Sequence, residues 1–338
     1  METSKSLLIN TPGTSIGKTS RRVVIKKPDG TRQEISLLKL KELNLFGNGL
    51  KVSTDLLATA VRQGVRINLF DSQGRVYGVI TSPFLNQSVI TSRAQLKSEN
   101  SPKAKLFAQE VVLAKIFNQQ RLIEYFLKHQ KLASTEKTRE ITTLLAEIKL
   151  LRIKILALDL GDDYRSKLFA LEGKSANNYW QILRKLLSEK WGFPGRVGRG
   201  ASDTVNTLLN YGYSILYSRV LASILQCGLQ PFAGFLHTDR SGKASLALDL
   251  MEIFRQPVVD RQLLAFLGKK KIVTQKASQE MIFDFAGFLT RRMEERFTQK
   301  LVLTSWDRVL YLQTQNVAGF LRGEKSLQIF QNENFSSL

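Results

Sequence analysis

The sequence predicts an α+β protein in which a small N-terminal β-rich domain is followed by a larger all-α domain. Three observations carry this. Up to about residue 84, apolar residues come in short β-branched runs cut by turn signals. Beyond Pro102 they recur at the three-and-four spacing of helices, in long blocks. Between the two lies a stretch with neither period. At 338 residues, with 43% hydrophobic and 23% charged side chains, the chain has the balance of a soluble globular protein and enough apolar material for two cores.

The first region justifies its strands one by one. LLINT leads into PGTS and RRVVIKK into PDG; EISLLKL, LNLFGNG, RINLF, DSQG and RVYGVIT follow. Pro-Asp-Gly and Gly-Asn-Gly supply the dihedrals of tight turns, so the apolar runs between them read as strands. One helix interrupts them at 54–63, where Leu56, Leu57, Ala60 and Val61 recur on one face. Residues 85–102 gather Asn, Ser and Pro and read as a linker. The expected domains are therefore 1–84 and 103–338.

In the second region AKLFAQEVVLAKIFNQQRLIEYFL and EITTLLAEIKLLRIKILAL show helical periodicity with solvated Lys, Arg and Glu between the apolar positions. The latter reads as a bundle helix, with a coiled-coil-like dimer arm as the alternative. A further helix runs from a Ser202 cap to Gly228, which suits the left-handed residue that ends a helix. Val205, Leu208, Leu209, Ile215 and Leu216 form its apolar stripe. Asn206, Asn210, Tyr213 and Tyr217 share another face, either padding an interface or meeting a substrate.

Fifty Lys and Arg against twenty-nine Asp and Glu give a net charge of +21, which favours a polyanionic partner, nucleic acid before an anionic membrane surface. No apolar run reaches the eighteen residues of a membrane span, and the N-terminus lacks a secretory pattern, so a cytoplasmic location is expected. The single Cys227 excludes an internal disulfide or a thiolate metal cluster; among Ile224, Leu225 and Leu229 it reads as a structural thiol.

One of only two histidines, His237, lies in GFLHTDRSGKASLALDLMEIFR, ahead of Asp249 and Glu252 in an apolar run. If that run is helical the two acids share a face, where they repel each other and where burial disfavours their charged forms. A cation relieves both costs, and imidazole with carboxylates suits Mn²⁺, the oxygens also Mg²⁺. Taken alone, ordinary salt bridges and caps explain these residues as well. His129, near a helix C-terminus, illustrates that plain use. Glu172 attracts notice because Gly173 follows it inside a helical pattern, suggesting close packing there. WGFPGRVGRGA presents Arg196 and Arg199 on a glycine-rich backbone suited to phosphate contact, yet it matches neither a dinucleotide fingerprint nor a P-loop.

LEGKSANNYW, the Gly and Arg loop, SDTVNTLLNYGYSILYSRVLASILQCGLQPFAGFLH and SLALDLMEIFRQPVVDRQLL together closely resemble the CRISPR-associated integrase, the Cas-one family. The similarity extends through LNLFGNGLKVSTDLLATAVRQGVRINLFDSQGRVYGVIT and is densest from Glu172 to Asp260. The resemblance implies an N-terminal β domain, a helical catalytic domain, and a divalent metal, Mg²⁺ or Mn²⁺, on Glu172, His237 and Glu252, with Asp249 beside it. It implies integration of short DNA fragments into a CRISPR array by attack of a 3′-hydroxyl on a phosphodiester, with associated endonuclease activity. Partners would be DNA, a second copy in a homodimer, and a Cas-two dimer that bridges two such dimers into a heterohexamer. Arg196, Arg199, Asn206, Tyr211, Arg240 and Lys243 are the expected DNA contacts. Two departures stand out: Gly200 and Ala201 occupy a place where the family often has paired prolines, and the helical segment 134–160 is longer than in compact members. A non-catalytic scaffold of the same fold and a stand-alone branched-DNA nuclease are the competing expectations.

Overall fold

A computed structural model describes residues 5–71, 74–82, 89–129, 135–187, 189–198, 200–238, 241–270, 274, 276–299, 302–333 and 335. The chain forms two compact units, Met1–Leu85 and Asn86–Leu338.

The first unit holds β1 (Lys5–Ile9), β2 (Ser15–Thr19), β3 (Arg22–Lys26), β4 (Arg32–Ser36), β5 (Leu40–Phe46), β6 (Lys51–Val52), α1 (Thr54–Arg62), β7 (Arg66–Phe70) and β8 (Val76–Ile80). They build two four-stranded sheets, in the orders β1-β5-β7-β8 and β4-β3-β2-β6. Val23, Val24 and Ile25 of β3 are all buried, and β3 pairs antiparallel with β2 on one side and β4 on the other. The β3–β4 turn is the expected Pro-Asp-Gly. Asp29 Oδ1 accepts from Thr31 N at 2.8 Å and Gly30 takes φ +83°. Helix α1 is capped by Ser53, whose Oγ accepts from Leu56 N at 3.3 Å. Its Leu56 and Ala60 are buried with Ile16, Val23, Leu43 and Ile67. Each such aliphatic side chain contributes about 1.5–3 kcal/mol of burial.

The second unit holds α2 (Val89–Lys97), α3 (Pro102–His129), α4 (Thr135–Leu156), α5 (Tyr164–Leu186), α6 (Thr204–Gln226), α7 (Ser245–Phe254), α8 (Arg261–Lys269), α9 (Gln279–Glu294), β9 (Phe297–Gln299), β10 (Val302–Thr304) and α10 (Trp306–Arg322). One expectation is refined. The segment read as a linker contains α2, whose buried side chains are the polar Thr91 and Gln95. Gln95 Nε2 donates to the carbonyls of Gln230 and Ala233 at 2.9 and 2.7 Å, and its Oε1 accepts from Gln230 N at 2.7 Å. The unit is helical as expected, and within it β9 and β10 pair as a short antiparallel ribbon.

Helix α6 runs through the core of this unit, packed against α7, α9 and α10. Its cap is Asp203 rather than Ser202: the longer carboxylate accepts from Asn206 N at 2.9 Å. Gly228, at φ +70°, follows its end as expected. The close approach expected at Gly173 is absent, since nothing lies within 4 Å of a Cβ there, and the tight glycine is Gly212. A Cβ on Gly212 would come within 2.6 Å of Val259 Cγ1.

Between α7 and α8 the helix widens into a π-helical segment, Arg255–Asp260. Pro257 has no N–H to give the Ile253 carbonyl four residues back, so the α ladder breaks at that point. Asn118 Nδ2 of α3 takes up that carbonyl instead, at 2.8 Å. A wider turn and a polar graft from α3 are thus local consequences of one proline. They sit directly behind Glu252. Among the described residues no helix is long and apolar enough to cross a membrane.

Candidate metal centre and its supporting network

The GFLH segment lies between α6 and α7. At Gly234 a Cβ would meet Ser245 Cβ at 2.7 Å and Asp249 Oδ2 at 3.0 Å, so only glycine lets the backbone pass over the first turn of α7. That closeness puts three successive amides onto one carboxylate. Phe235 N and Leu236 N donate to Asp249 Oδ2 at 2.7 and 3.0 Å, and His237 N donates to Oδ1 at 2.9 Å. The His237 ring joins them through Nδ1, 2.7 Å from the same Oδ1. An ionised carboxylate can only accept, so Nδ1 carries a proton, and in the neutral ring Nε2 is the nitrogen with the lone pair. The Phe235 carbonyl is held as well, by Tyr164 Oη at 2.8 Å and Arg165 Nε at 2.9 Å from α5. Asp249, fully buried, therefore spends its oxygens on holding the loop and orienting the imidazole.

His237 stands edge to face with Phe169, ring centroids 5.4 Å apart, and Phe169 precedes Glu172 by one turn of α5. Glu172 in turn meets Glu252 of α7 through a shared cation. Lys115 of α3 inserts its ammonium between them, bonded to Glu172 Oε1 and 2.6 Å from Glu252 Oε2. The other Glu252 oxygen pairs with Arg255 at 2.9 Å. Burial alone would push the Glu252 carboxyl up, but Arg255 and Lys115 beside it hold it below the ordinary carboxylate range. Burial likewise works against the Lys115 ammonium, and Glu252 and Glu172 outweigh it, leaving the lysine above its usual value.

Five residues beyond Arg255 a second buried acid has different company. Asp260 accepts from Tyr213 Oη at 2.6 Å and from Tyr179 Oη at 2.7 Å. Burial dominates there and raises its pKa to about 6, despite the two hydroxyls and the more distant Arg255 and Arg196. The Arg255 guanidinium lies over the Tyr213 ring, 4.6 Å from its centroid, which links the two acids through one aromatic plate.

Two carboxylates and an imidazole nitrogen form a donor set that fits Mn²⁺ or Mg²⁺ in kind. Glu252 Oε2 is moreover buried without a hydrogen bond of proper geometry. In spacing the set is not closed. Among the described residues no three His, Cys, Asp or Glu side chains gather tightly enough to grip one ion. Lys115 is the group that stands between them.

The expected DNA contacts divide. Arg199 and Arg240 lie outside the described residues. Lys243 is exposed in the turn before α7. Asn206 and Tyr211 are buried in α6 and present no surface to a duplex within this unit. Asn206 instead builds the loop before it, accepting from Val197 N at 2.9 Å and donating to the Gly195 carbonyl at 2.8 Å. Arg196 is drawn inward by Asn206 Oδ1 and Asn210 Oδ1, at 3.2 and 2.7 Å, and stacks 5.3 Å from the Tyr213 ring centroid. Burial pushes the Cys227 thiol up to about 11, leaving it protonated and unreactive at neutral pH.

Lys115, Arg255, Asp260 and Tyr179 were not anticipated from the sequence. A signal for the first existed in KIFNQQ, where Lys115, Asn118 and Gln119 interrupt the apolar face of α3 at helical spacing. All three are buried, and Gln119 Oε1 accepts from Ser175 Oγ of α5 at 2.9 Å.

The family model for CRISPR associated protein Cas1 matches residues 7–302. A CRISPR-associated endonuclease Cas1 from Archaeoglobus fulgidus is 28% identical over 342 residues, covering 96% of this chain and 98% of the relative. Among solved structures, a casposase bound to integration product superposes with a TM-score of 0.81 at 20% identity, covering 98% of this chain and 94% of the other. A Cas6-RT-Cas1–Cas2 complex gives 0.78 at 24% identity, covering 98% of this chain and 36% of its counterpart. Matched along nearly its whole length, the chain belongs to the Cas1 family of CRISPR-associated proteins.

Proposed function

We propose that the chain is a divalent-metal-dependent DNA integrase and endonuclease of CRISPR adaptation. It would join the 3′-hydroxyl of a short DNA fragment to a phosphodiester of the repeat array. The observation that carries this reading is the pairing of two devices: Asp249 engages His237 through Nδ1, and Glu172 and Glu252, from two different helices, converge on the one Lys115 ammonium. Glu172, Glu252 and His237 Nε2 would hold Mg²⁺ or Mn²⁺. Such an ion, when bound, polarises a phosphoryl oxygen and stabilises charge developing on it.

The chain's own residues do the rest. Asp249 fixes the tautomer and direction of His237, Arg255 fixes the rotamer of Glu252, and α3, α5 and α7 hold these groups on rigid elements. The fragment's 3′-oxygen forms a bond to phosphorus as the array's 3′-oxygen leaves. One phosphodiester replaces another; the proton lost from the attacking hydroxyl is matched by one gained on the departing oxygen, and no nucleotide is spent. The +21 charge supports a DNA partner, with each phosphate contact weakening as salt rises, at a log-log slope of roughly −0.9 per contact on duplex.

The likeness to a casposase bound to integration product and to a Cas6-RT-Cas1–Cas2 complex supports a strand-transfer role and a Cas2 partner. We take the working assembly as homodimers bridged by a Cas2 dimer, acting in the prokaryotic cytoplasm. The test is fragment joining into a repeat-bearing plasmid with that partner and Mg²⁺ or Mn²⁺. Glu172→Ala and His237→Ala are expected to abolish joining in folded protein, and full activity in either would overturn the site. Cutting of branched DNA without joining would favour the nuclease reading.

A further inference from the structure

We infer that Lys115 is a built-in competitor for the metal position, and that a divalent cation enters between Glu172 and Glu252 as the Lys115 ammonium withdraws. The inference rests on the metal reading above. Three observations carry it. The Lys115 side chain, 9% exposed, ends between carboxylates borne by two different helices, α5 and α7. With Arg255 on the outer oxygen of Glu252, the two cations already balance the two carboxylates, so this pair of acids is neutralised by the fold itself. A divalent ion added without moving a cation would face an ammonium at contact distance with no spare negative charge.

Of the two cations, Lys115 is the one free to yield. Arg255 is anchored outside the acid pair by the face of Tyr213 as well as by Glu252, whereas the Lys115 ammonium bonds the two carboxylates that a metal would itself take. Lys115 ends in a compact head on a flexible four-carbon stem. Withdrawal frees the Glu172 and Glu252 oxygens that the ammonium now occupies. The ammonium also keeps the metal-free site intact, because the half-buried Glu172 and the buried Glu252 carboxylates would repel without a cation between them. Lys115 therefore acts through Glu172 and Glu252 as a positioning residue, one whose presence sets the concentration of metal at which the site fills.

The test is Mn²⁺ binding to the full chain, by calorimetry and by electron paramagnetic resonance of free Mn²⁺, with thermal unfolding with and without Mn²⁺. Wild type, Lys115→Met, Lys115→Arg and Glu172→Ala are compared. An occupant that holds the position nine-tenths of the time weakens apparent affinity about tenfold, so Lys115→Met is expected to bind Mn²⁺ about tenfold more tightly than wild type. Its unfolding temperature should fall without metal and rise more than wild type's on adding Mn²⁺. Lys115→Arg, whose planar fork can bridge both carboxylates, should bind Mn²⁺ more weakly than wild type. If Lys115→Met folds only with Mn²⁺ present, the enlarged metal-dependent stabilisation is the expected result in its extreme form. Equal or weaker binding by Lys115→Met, while Glu172→Ala abolishes binding, would overturn the inference and leave the metal site standing. Undiminished binding by Glu172→Ala would overturn the metal reading, and this inference with it.

Discussion

Glu252 and Asp260 are buried acids eight residues apart on one continuous helical path, and they are driven in opposite directions. Both lose water. Glu252 has an ammonium and a guanidinium against its oxygens and is held below the ordinary range. Asp260 has two neutral phenols and rises to about 6. The difference lies in the charge of the neighbours and not in depth: one arrangement keeps a carboxylate ready for a cation, the other makes a carboxyl that braces a helix easier to protonate. The π-helical segment between them makes both environments possible, because its extra width carries Asp260 round to Tyr179 and Tyr213.

The comparison breaks most visibly at Glu252. Glu252→Ala is expected to lower strand joining by roughly three orders of magnitude, the equivalent of several kcal/mol of lost charge stabilisation. It should also remove any rise in unfolding temperature with Mn²⁺; a variant that joined at the wild-type rate would place the chemistry elsewhere. Asp260→Asn should spare the metal response and change the pH dependence. The Asp260 pKa is raised on folding, so its contribution is full below about pH 4 and is lost as pH climbs through about 6. Relative to Asp260→Asn, wild type should lose about 3 kcal/mol between pH 4 and pH 8, two pH units at about 1.4 kcal/mol each. Urea midpoints of both proteins across that range measure it, and a flat difference would contradict the assignment.

Asp249→Asn sharpens the comparison from the histidine side. An amide presents one acceptor oxygen where the carboxylate offers two, so His237 loses its fixed tautomer and Mn²⁺ affinity should fall about 10–100-fold. Calorimetry would register the change, and unaltered affinity would mean that the ring needs no such partner. The smallest effect belongs to Tyr179→Phe, which deletes one hydroxyl from Asp260. Stability should fall by about 1 kcal/mol at pH 8, and the pH at which wild-type stability is lost should move upward. Thermal melts at pH 5 and pH 8 separate these two effects.

What could be read from the sequence follows the range over which each signal acts. Turn chemistry at Asp29-Gly30, the Leu56 and Ala60 face of α1, and the Gly228 terminus are local, and each lies where the pattern put it. His237 and Glu252 stood out as polar residues in an apolar run, Glu172 was tied to them by the family motifs, and the fold joins Glu172 to Glu252 through Lys115. Lys115 was missed because its meaning depends on α5 and α7, although the broken apolar face of α3 marked the place. Helix α2 was missed because its buried positions are Thr91 and Gln95, so no apolar stripe advertised it. The Gly173 expectation failed for the complementary reason: glycine in a helix is permissive as well as demanding, and nothing packs on that face. Ser202 and Asp203 are both capping types, so the sequence left the cap open to within one residue, and the helix starts after Asp203.

The grip of α2 on the loop after α6 bears on where the protein can be cut. Gln95 clasps residues 230–233, Ser92 Oγ donates to the Gly228 carbonyl at 2.8 Å, and Arg322 of α10 reaches Thr91 at 2.8 Å. The GFLH segment begins one residue beyond that clasp. A catalytic fragment begun at Pro102, where the long helices start, would leave the approach to His237 without its brace. One begun ahead of Val89 keeps the brace, so the nine residues that resemble a tether mark the fragment's natural first turn.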